Sequence, residues 1–133
     1  MGFILSHMNP PFTYTEALAG ESVVGLRLQE VAHALEMEEE TLAERCGMSR
    51  STFYRRKQRK GPLNAAEIDL LDRHSAIFLQ AAAVFEDAAE ARTWLQTAQY
   101  GLNGAVPLDA IQTTAGFREV EKLLTRIDYG VYA

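Results

Sequence analysis

The sequence comprises 133 residues, which is enough for one globular domain or two small ones. Hydrophobic residues make up 47% of it and charged residues 23%, which excludes a disordered or low-complexity chain. The single cysteine excludes an internal disulfide framework, the three scattered histidines argue against a metal centre, and no apolar run is long enough to cross a bilayer. We therefore expect a cytoplasmic protein that contacts no membrane and binds no metal or cofactor. The net charge of −5 argues at first sight against a nucleic-acid partner.

The chain begins with a segment that we exclude from functional interpretation. Ser6-His7-Met8 resembles the scar of a cloning site, and the apolar residues before it are too few for the core of a signal peptide. We interpret residues 1–8 as a cloning scar or a disordered start. From about residue 22 onwards, apolar residues recur at spacings of three and four, so the sequence predicts an all-α protein.

Three helices are predicted in the first half of the chain. The first is amphipathic, and its apolar face extends to Leu35. The second begins at the acidic residues 38–40, which complement the helix dipole, and it ends at Gly47. The third is short, because it begins at the N-cap residue Ser49 and continues through Lys57.

Four further helices are predicted after the chain break at residues 61–62. The long first one starts with a capping box, in which Asn64 caps the helix and Glu67 bonds back, and it continues to about Phe85. We assign Trp94, on the helix after it, to the core. The other predicted features are a helix capped by Asp87, a short helix over Leu108–Gln112 and a last helix capped by Thr113 or Thr114, with Phe117, Val120, Leu124 and Ile127 on one face and its end at Gly130.

Residues 39–57 have the pattern of a helix-turn-helix. This motif needs a small residue where the two backbones approach, a glycine in the turn and an apolar plug in the second helix. Ala43, Gly47 and Phe53 stand at these three places with the usual offsets of four and six residues. The segment Glu39–Arg56 also resembles the Cro/repressor class of helix-turn-helix found in Xre-type regulators. Some modules of this class bind DNA, and others serve only for dimerisation.

The positive charge of the chain is concentrated in this motif. Residues 1–44 have a net charge of −7 and residues 61–133 of −5, whereas residues 45–60 contain seven basic residues and no acidic one. Salt screens charges over about 8–10 Å, so local charge decides whether a polyanion binds. A basic run alone is as consistent with a solvated surface as with a binding surface, but this run coincides with the helix that should enter the major groove.

We therefore predict duplex DNA as a partner, bound by a homodimer or a higher oligomer, because one short recognition helix reads only a few base pairs. The second helix of the motif is expected to expose side chains of the types that bond to phosphates and base edges. The predicted DNA-binding residues are Ser49, Arg50, Ser51, Thr52, Tyr54, Arg55, Arg56 and Lys57.

The C-terminal part of the chain resembles the toxin-binding domain of the MbcA/ParS/Xre antitoxins. The resemblance extends from about Ala81 to Ala133, and together with the helix-turn-helix it covers about residues 25–133. The residues that carry it, in order, are Val84-Phe85, Asp87, Ala91, Trp94-Leu95, Leu102, Gly104, Pro107-Leu108, Thr114, Gly116, Val120, Leu123-Leu124, Arg126-Ile127 and the final segment Tyr129-Gly130-Val131-Tyr132-Ala133.

This resemblance implies a partner and a role. Such antitoxins pair with RES-domain toxins, which attack NAD or use it to ADP-ribosylate a target. The antitoxin blocks the NAD site of the toxin, commonly with its C-terminal helix and tail, and the pair often represses its own promoter through the helix-turn-helix. The implied layout is a helix-turn-helix domain in residues 22–62, a long connecting helix in residues 63–80 and a small helical toxin-binding domain in residues 81–133.

Five residues near the C-terminus are candidates for toxin binding. Lys122 and Arg126 face away from the apolar stripe of the last helix, where they either face solvent or pair with acidic groups on a toxin. Tyr129, Val131 and Tyr132 follow the predicted end of that helix. Aromatic side chains at such a chain end either fold back onto their own core or insert into a partner.

The residues do not favour an enzyme. Cys46 precedes the turn glycine, where an apolar residue normally packs, and it is predicted to be a small buried hydrophobe. His33 and His74 have no nucleophile or ligand pair beside them, and no nucleotide-binding or metalloprotease motif is present. Two alternatives to an antitoxin remain open from the residues: a helix-turn-helix repressor without a toxin partner, and an interaction protein that does not bind DNA.

Overall fold

The computed structural model of this protein describes residues 21–59 and 61–130. Within these ranges the chain is all-α, which confirms the predicted class, and it contains seven α-helices, one 3-10 helix and no strand. In chain order the elements are α1 (Glu21–Leu35), α2 (Glu39–Arg45), α3 (Arg50–Arg59), α4 (Ala65–Phe85), α5 (Ala88–Leu95), the 3-10 helix (Tyr100–Leu102), α6 (Pro107–Ala110) and α7 (Thr114–Asp128). The segment 1–8, interpreted above as a cloning scar, lies outside the described residues. In the described part of the chain, no helix combines the length and the apolar character that crossing a bilayer requires.

The described residues divide into two compact units, of which the first ends at Asp72 and the second begins at Arg73. Helix α4 runs through this boundary. The first unit has an apolar core contributed by α1, α2, α3 and the first turns of α4, and burial of these side chains supplies its main stabilisation. The buried apolar residues of this core are Leu28, Val31, Ala32, Ala34, Leu35, Leu42, Ala43, Cys46, Met48, Phe53, Leu63, Ile68 and Leu71.

The turn between α2 and α3 has the predicted helix-turn-helix geometry. Gly47 has a φ of +94°, which a residue with a side chain rarely adopts, so the glycine is required by the backbone. The amide of Met48 donates to the carbonyl of Ala43 at 3.0 Å and closes the turn. The chain then enters α3 at Ser49, whose Oγ accepts from the amide of Thr52 at 3.2 Å, as expected for an N-cap. Helix α3 extends to Arg59, two residues beyond the predicted end.

Helix α4 begins with the predicted capping box. The amide of Glu67 donates to Oδ1 of Asn64 at 2.8 Å, and the amide of Asn64 donates to Oε1 of Glu67 at 2.9 Å. Leu63 and Ile68, on either side of this box, are both buried. The capping box at the start of α4 is therefore formed by residues within three positions of one another.

The second unit contains the rest of α4 together with α5, α6 and α7. Asp87 caps α5 through its bond from the amide of Ala89 at 2.9 Å, and Thr113 rather than Thr114 caps α7 through its bond from the amide of Gly116 at 3.0 Å. The buried residues of its core are Ile77, Phe78, Ala81, Ala82, Ala91, Leu95, Leu108, Ile111, Val120, Leu123 and Leu124.

Some details of the second unit differ from the sequence prediction. Trp94, predicted to be core, is only half-buried, and its ring packs against Phe85, itself half-buried, with 5.7 Å between the ring centroids. Phe117 and Ile127 are also half-buried, since they lie at the two ends of α7. The short α6 spans Pro107–Ala110 and begins at its proline, so the predicted end at Gln112 is wrong by two residues.

Gly116 is required by a close approach between the first turn of α7 and the end of α6. A Cβ atom at this position would overlap the carbonyl oxygen of Ala110 and lie 2.8 Å from its carbonyl carbon. Because both are backbone atoms, no side-chain rotation relieves the overlap. We expect Gly116→Ala to lower the free energy of unfolding by about 1–3 kcal/mol, measured by urea denaturation.

Gly61→Ala is the control for this substitution. Its Cβ would lie 3.7 Å from Cγ of Arg56, an ordinary van der Waals distance. Equal stability of the two variants would contradict the steric interpretation of Gly116.

Candidate functional site

The exposed face of α3 is the first candidate site. Phe53 is buried and anchors the helix to the core of the first unit. Arg50, Ser51, Tyr54, Arg55 and Lys57 are exposed, as the sequence predicted, and Thr52 is half-buried. The hydroxyl of the exposed Ser49 is engaged locally, because it donates to Oγ1 of Thr52 at 2.9 Å while it caps the helix.

Arg55 and Arg59 are the most available cations of this face. Both are exposed, and within residues 27–59 and 61–130 neither forms an ion pair. A guanidinium in this state binds phosphate without first breaking another contact. Arg59 was not among the predicted residues, because the helix was expected to end at Lys57; its place one turn after Arg55 is the signal that identifies it.

Arg56 is placed differently from its prediction. It is half-buried rather than exposed, and its Nη1 forms an ion pair with Oε1 of Glu67, a residue with only 7% of its side chain exposed. The same carboxylate also completes the capping box of α4. The Arg56 side chain therefore joins the end of α3 to the start of α4, and the expectation that it is exposed was wrong.

Two glutamates of α2 contact the other polar side chains of α3. Glu39 Oε1 lies 3.3 Å from Nζ of Lys57. Glu40 Oε2 lies 3.3 Å from Nε of Arg50, and its Oε1 accepts from the Tyr54 hydroxyl at 2.8 Å. The hydrogen bond to Glu40, followed by the negative charge of Glu40, raises the pKa of Tyr54 above its usual value. Tyr54 is therefore a neutral hydrogen-bond donor at physiological pH.

The structure also places Cys46, His74 and His33, whose side chains are of the types that react with substrates or bind metals. Burial is the main cause that raises the pKa of the Cys46 thiol to about 12, so the prediction of a small buried hydrophobe is confirmed and the thiolate is absent near neutral pH. His74 is fully buried and His33 is exposed. Among the residues that the structure describes, no group of three or more His, Cys, Asp or Glu side chains is arranged to hold a metal ion.

The outer face of α7 is the second candidate site. A groove of about 670 Å³ runs along it and is lined by Gln80, Arg118, Glu121, Lys122, Thr125 and Arg126. The predicted residues Lys122 and Arg126 thus share one groove with Arg118, which the prediction missed although it stands one turn before Lys122. Gln80 of α4 donates to the carbonyl of Glu121 at 3.2 Å and fixes one wall.

An exposed aromatic residue, Tyr129, comes after the groove residues at the end of α7. Tyr129 caps the end of α7 and has 79% of its surface exposed. Gly130, with a φ of +77°, directs the chain away from the helical path. The other predicted toxin-binding residues, Val131 and Tyr132, lie outside the described residues.

The fold and these surfaces define a helix-turn-helix protein with a second, helical domain. Residues 23–73 match the Antitoxin Xre-like helix-turn-helix domain, and residues 80–130 match the Antitoxin Xre/MbcA/ParS C-terminal toxin-binding domain. The chain therefore belongs to the Xre/MbcA/ParS antitoxin family. It is 34% identical over 79 residues to a protein named Antitoxin Xre from Pseudomonas putida KT2440, a match that covers 59% of this chain and 50% of that protein. The chain thus matches about half the length of this curated relative.

Proposed function

We propose that this protein is the antitoxin of a toxin–antitoxin pair, that it binds a RES-domain toxin and occludes its NAD site, and that it represses its own operon by binding promoter DNA. The observation that carries the proposal is the presence, in one chain, of a helix-turn-helix domain and a toxin-binding domain of the same antitoxin family. In this proposal residues 22–62 bind DNA, residues 81–133 bind the toxin, and residues 63–80 connect the two. Both partners would be met in the cytoplasm.

The DNA-binding part of the proposal is supported by the exposed cations of α3. Arg50, Arg55, Lys57 and Arg59 project from the helix that follows the turn at Gly47, and a recognition helix enters the major groove in this arrangement. We propose that the protein binds DNA as a homodimer or higher oligomer, because a regulatory site is normally read as two half-sites.

The toxin-binding part is supported by the outer face of α7. The groove presents Arg118, Lys122 and Arg126 at successive turns, and the exposed ring of Tyr129 follows it. Cations attract an acidic surface from a distance and set the orientation of docking, whereas an aromatic ring supplies the buried contact. A groove with this order of side chains suits a partner whose cleft is rimmed by carboxylates.

The test is co-expression with the product of the adjacent gene. We expect the protein to restore growth of cells that produce this toxin, to co-purify with it and to lower its consumption of NAD. We also expect it to shift a duplex that carries the upstream promoter. Promoter binding without rescue or co-purification would indicate a repressor that has no toxin partner.

The salt dependence of DNA binding tests the phosphate contacts of α3. Each phosphate contact contributes about 0.9 to the slope of log K against log salt concentration. We expect Arg55→Ala combined with Arg59→Ala to lower this slope by roughly two units in a filter-binding titration. Arg56→Ala is the comparison, because its guanidinium must leave Glu67 to reach a phosphate. An unchanged slope in the double variant would contradict phosphate binding by the two exposed arginines.

A further inference from the structure

A single carboxylate joins two residues of the recognition helix. Glu40, in the first turn of α2, receives the Tyr54 hydroxyl on one oxygen at 2.8 Å and faces Nε of Arg50 with the other at 3.3 Å. The guanidinium carbon of Arg50 lies 5.9 Å from the centroid of the Tyr54 ring, within the range of a cation–π contact. The three side chains thus contact one another pairwise in one small cluster.

This cluster leaves the terminal nitrogens of Arg50 available. The carboxylate contacts the guanidinium at Nε, and within the described residues neither Nη1 nor Nη2 forms a hydrogen bond. These two groups are parallel donors, which is the arrangement that bonds O6 and N7 of one guanine. Arg50 is also the first residue of α3, and the N-terminal residues of a recognition helix are those that reach base edges.

We propose that Glu40 is a positioning residue for sequence recognition: it orients Arg50, supported by Tyr54, so that Arg50 reads one guanine in the major groove. The inference rests on the proposed DNA-binding function and adds to it a residue that contacts no DNA. The Arg50 side chain is 79% exposed, and without a partner it would sample many rotamers before binding. A carboxylate that holds the guanidinium beforehand reduces the entropy lost when the base is bound.

Glu39 provides a matched comparison on the same helix. It neutralises Lys57 at 3.3 Å, but an ammonium is a point charge without a fixed donor geometry. Lys57 therefore contacts the phosphates of any duplex, whatever its base sequence. Loss of the Glu39 charge should strengthen binding to all sequences equally, whereas loss of the Glu40 charge should weaken the discrimination of one base pair.

The experiment begins with selection of a binding site from a randomised duplex library by the full-length protein. Each G·C pair of the selected site is then replaced, and the affinities of wild type, Glu40→Gln, Glu39→Gln and Arg50→Lys are compared. Glutamine at position 40 keeps the acceptor for Tyr54 but removes the charge that holds Arg50. We expect Glu40→Gln to reduce discrimination at one G·C pair by up to about fivefold, because the exposed ion pair that orients Arg50 contributes less than the bidentate contact itself.

The other variants complete the test. Arg50→Lys should lose discrimination at the same base pair. In the double variant, Glu40→Gln should cause no further loss of discrimination, because the arginine that Glu40 positions has been replaced. All variants should keep the wild-type melting temperature, because the contacts lie at an exposed surface.

Two results would overturn the inference while leaving DNA binding intact. One is full discrimination in Glu40→Gln; the other is a uniform gain in affinity equal to that of Glu39→Gln, which would show that Glu40 only neutralises charge. If wild type selects no site at all, the proposed DNA-binding function is wrong, and the role of Glu40 is wrong with it.

Discussion

Deletion of residues 129–133 should abolish neutralisation of the toxin and leave DNA binding unchanged. The segment begins at the end of α7, where Tyr129 is 79% exposed and Gly130 has a φ of +77°. Truncation of an aromatic anchor buried at the centre of an interface costs about 2 kcal/mol or more, which is a loss of affinity of roughly thirtyfold. The measurements are the growth of cells that co-express the toxin and the dissociation constant of the purified pair.

Tyr129→Ala and Tyr100→Ala separate a specific anchor from exposed aromatic surface in general. Tyr100 lies in the 3-10 helix of the same unit and is 88% exposed. We expect only Tyr129→Ala to weaken toxin binding. If the deletion variant still protects cells fully, neutralisation must depend on the helical surface between Leu95 and Leu124.

The melting temperature of the deletion variant tests the alternative that the chain end folds back onto its own core. In that case the deletion would lower the melting temperature and weaken both activities together. A partner-bound chain end leaves the stability of the free protein unchanged. The two interpretations of the final segment therefore predict different melting temperatures for the deletion variant.

The cationic groove on α7 should act on the rate of association rather than on the lifetime of the complex. Lys122 is 66% exposed and pairs at 3.8 Å with Glu119, an exposed contact that contributes little to stability. Because salt screens the attraction between exposed charges, reversal of charge at Lys122 and Arg126 should slow association most strongly at low salt. This dependence distinguishes steering by the groove from the anchoring role assigned to Tyr129.

The features that the sequence predicted correctly depend on short stretches of chain. The capping box of Asn64 and Glu67 and the caps at Asp87 and Thr113 each involve residues within three positions of one another. Helix periodicity and turn glycines are likewise local. The all-α class, the helix-turn-helix and most helix limits could therefore be predicted from the sequence.

The features that the sequence did not predict depend on contacts between distant residues. Arg56 was expected on the DNA-binding face, but it pairs with Glu67 on the next helix. Arg73 donates to the carbonyl of Ile111 at 3.0 Å and to Oγ1 of Thr114 at 3.0 Å, some forty residues further along the chain. Helical periodicity shows that a side chain lies on a polar face, but not which neighbouring element that face meets.

The contact with the largest expected effect on stability also joins distant residues. Arg27 of α1, 1% exposed, forms an ion pair with Asp72 of α4, whose side chain is 19% exposed. The second carboxylate oxygen of Asp72 is buried and has no hydrogen-bond partner among the described residues. Removal of the guanidinium would leave this carboxylate poorly solvated without a counter-charge.

Arg27→Ala should therefore lower the free energy of unfolding by about 3 kcal/mol, the lower limit for breaking a buried pair, since Asp72 keeps some contact with water. Arg50→Ala is the matched control, because the same substitution breaks an ion pair in which Arg50 is 79% exposed, and its effect should stay below about 1 kcal/mol. The double variant Arg27→Met with Asp72→Leu should recover much of the loss, because apolar side chains can occupy this site without the cost of burying charge. Urea denaturation of the four proteins measures these differences. Equal effects of Arg27→Ala and Arg50→Ala would show that the buried pair contributes no more than a surface contact.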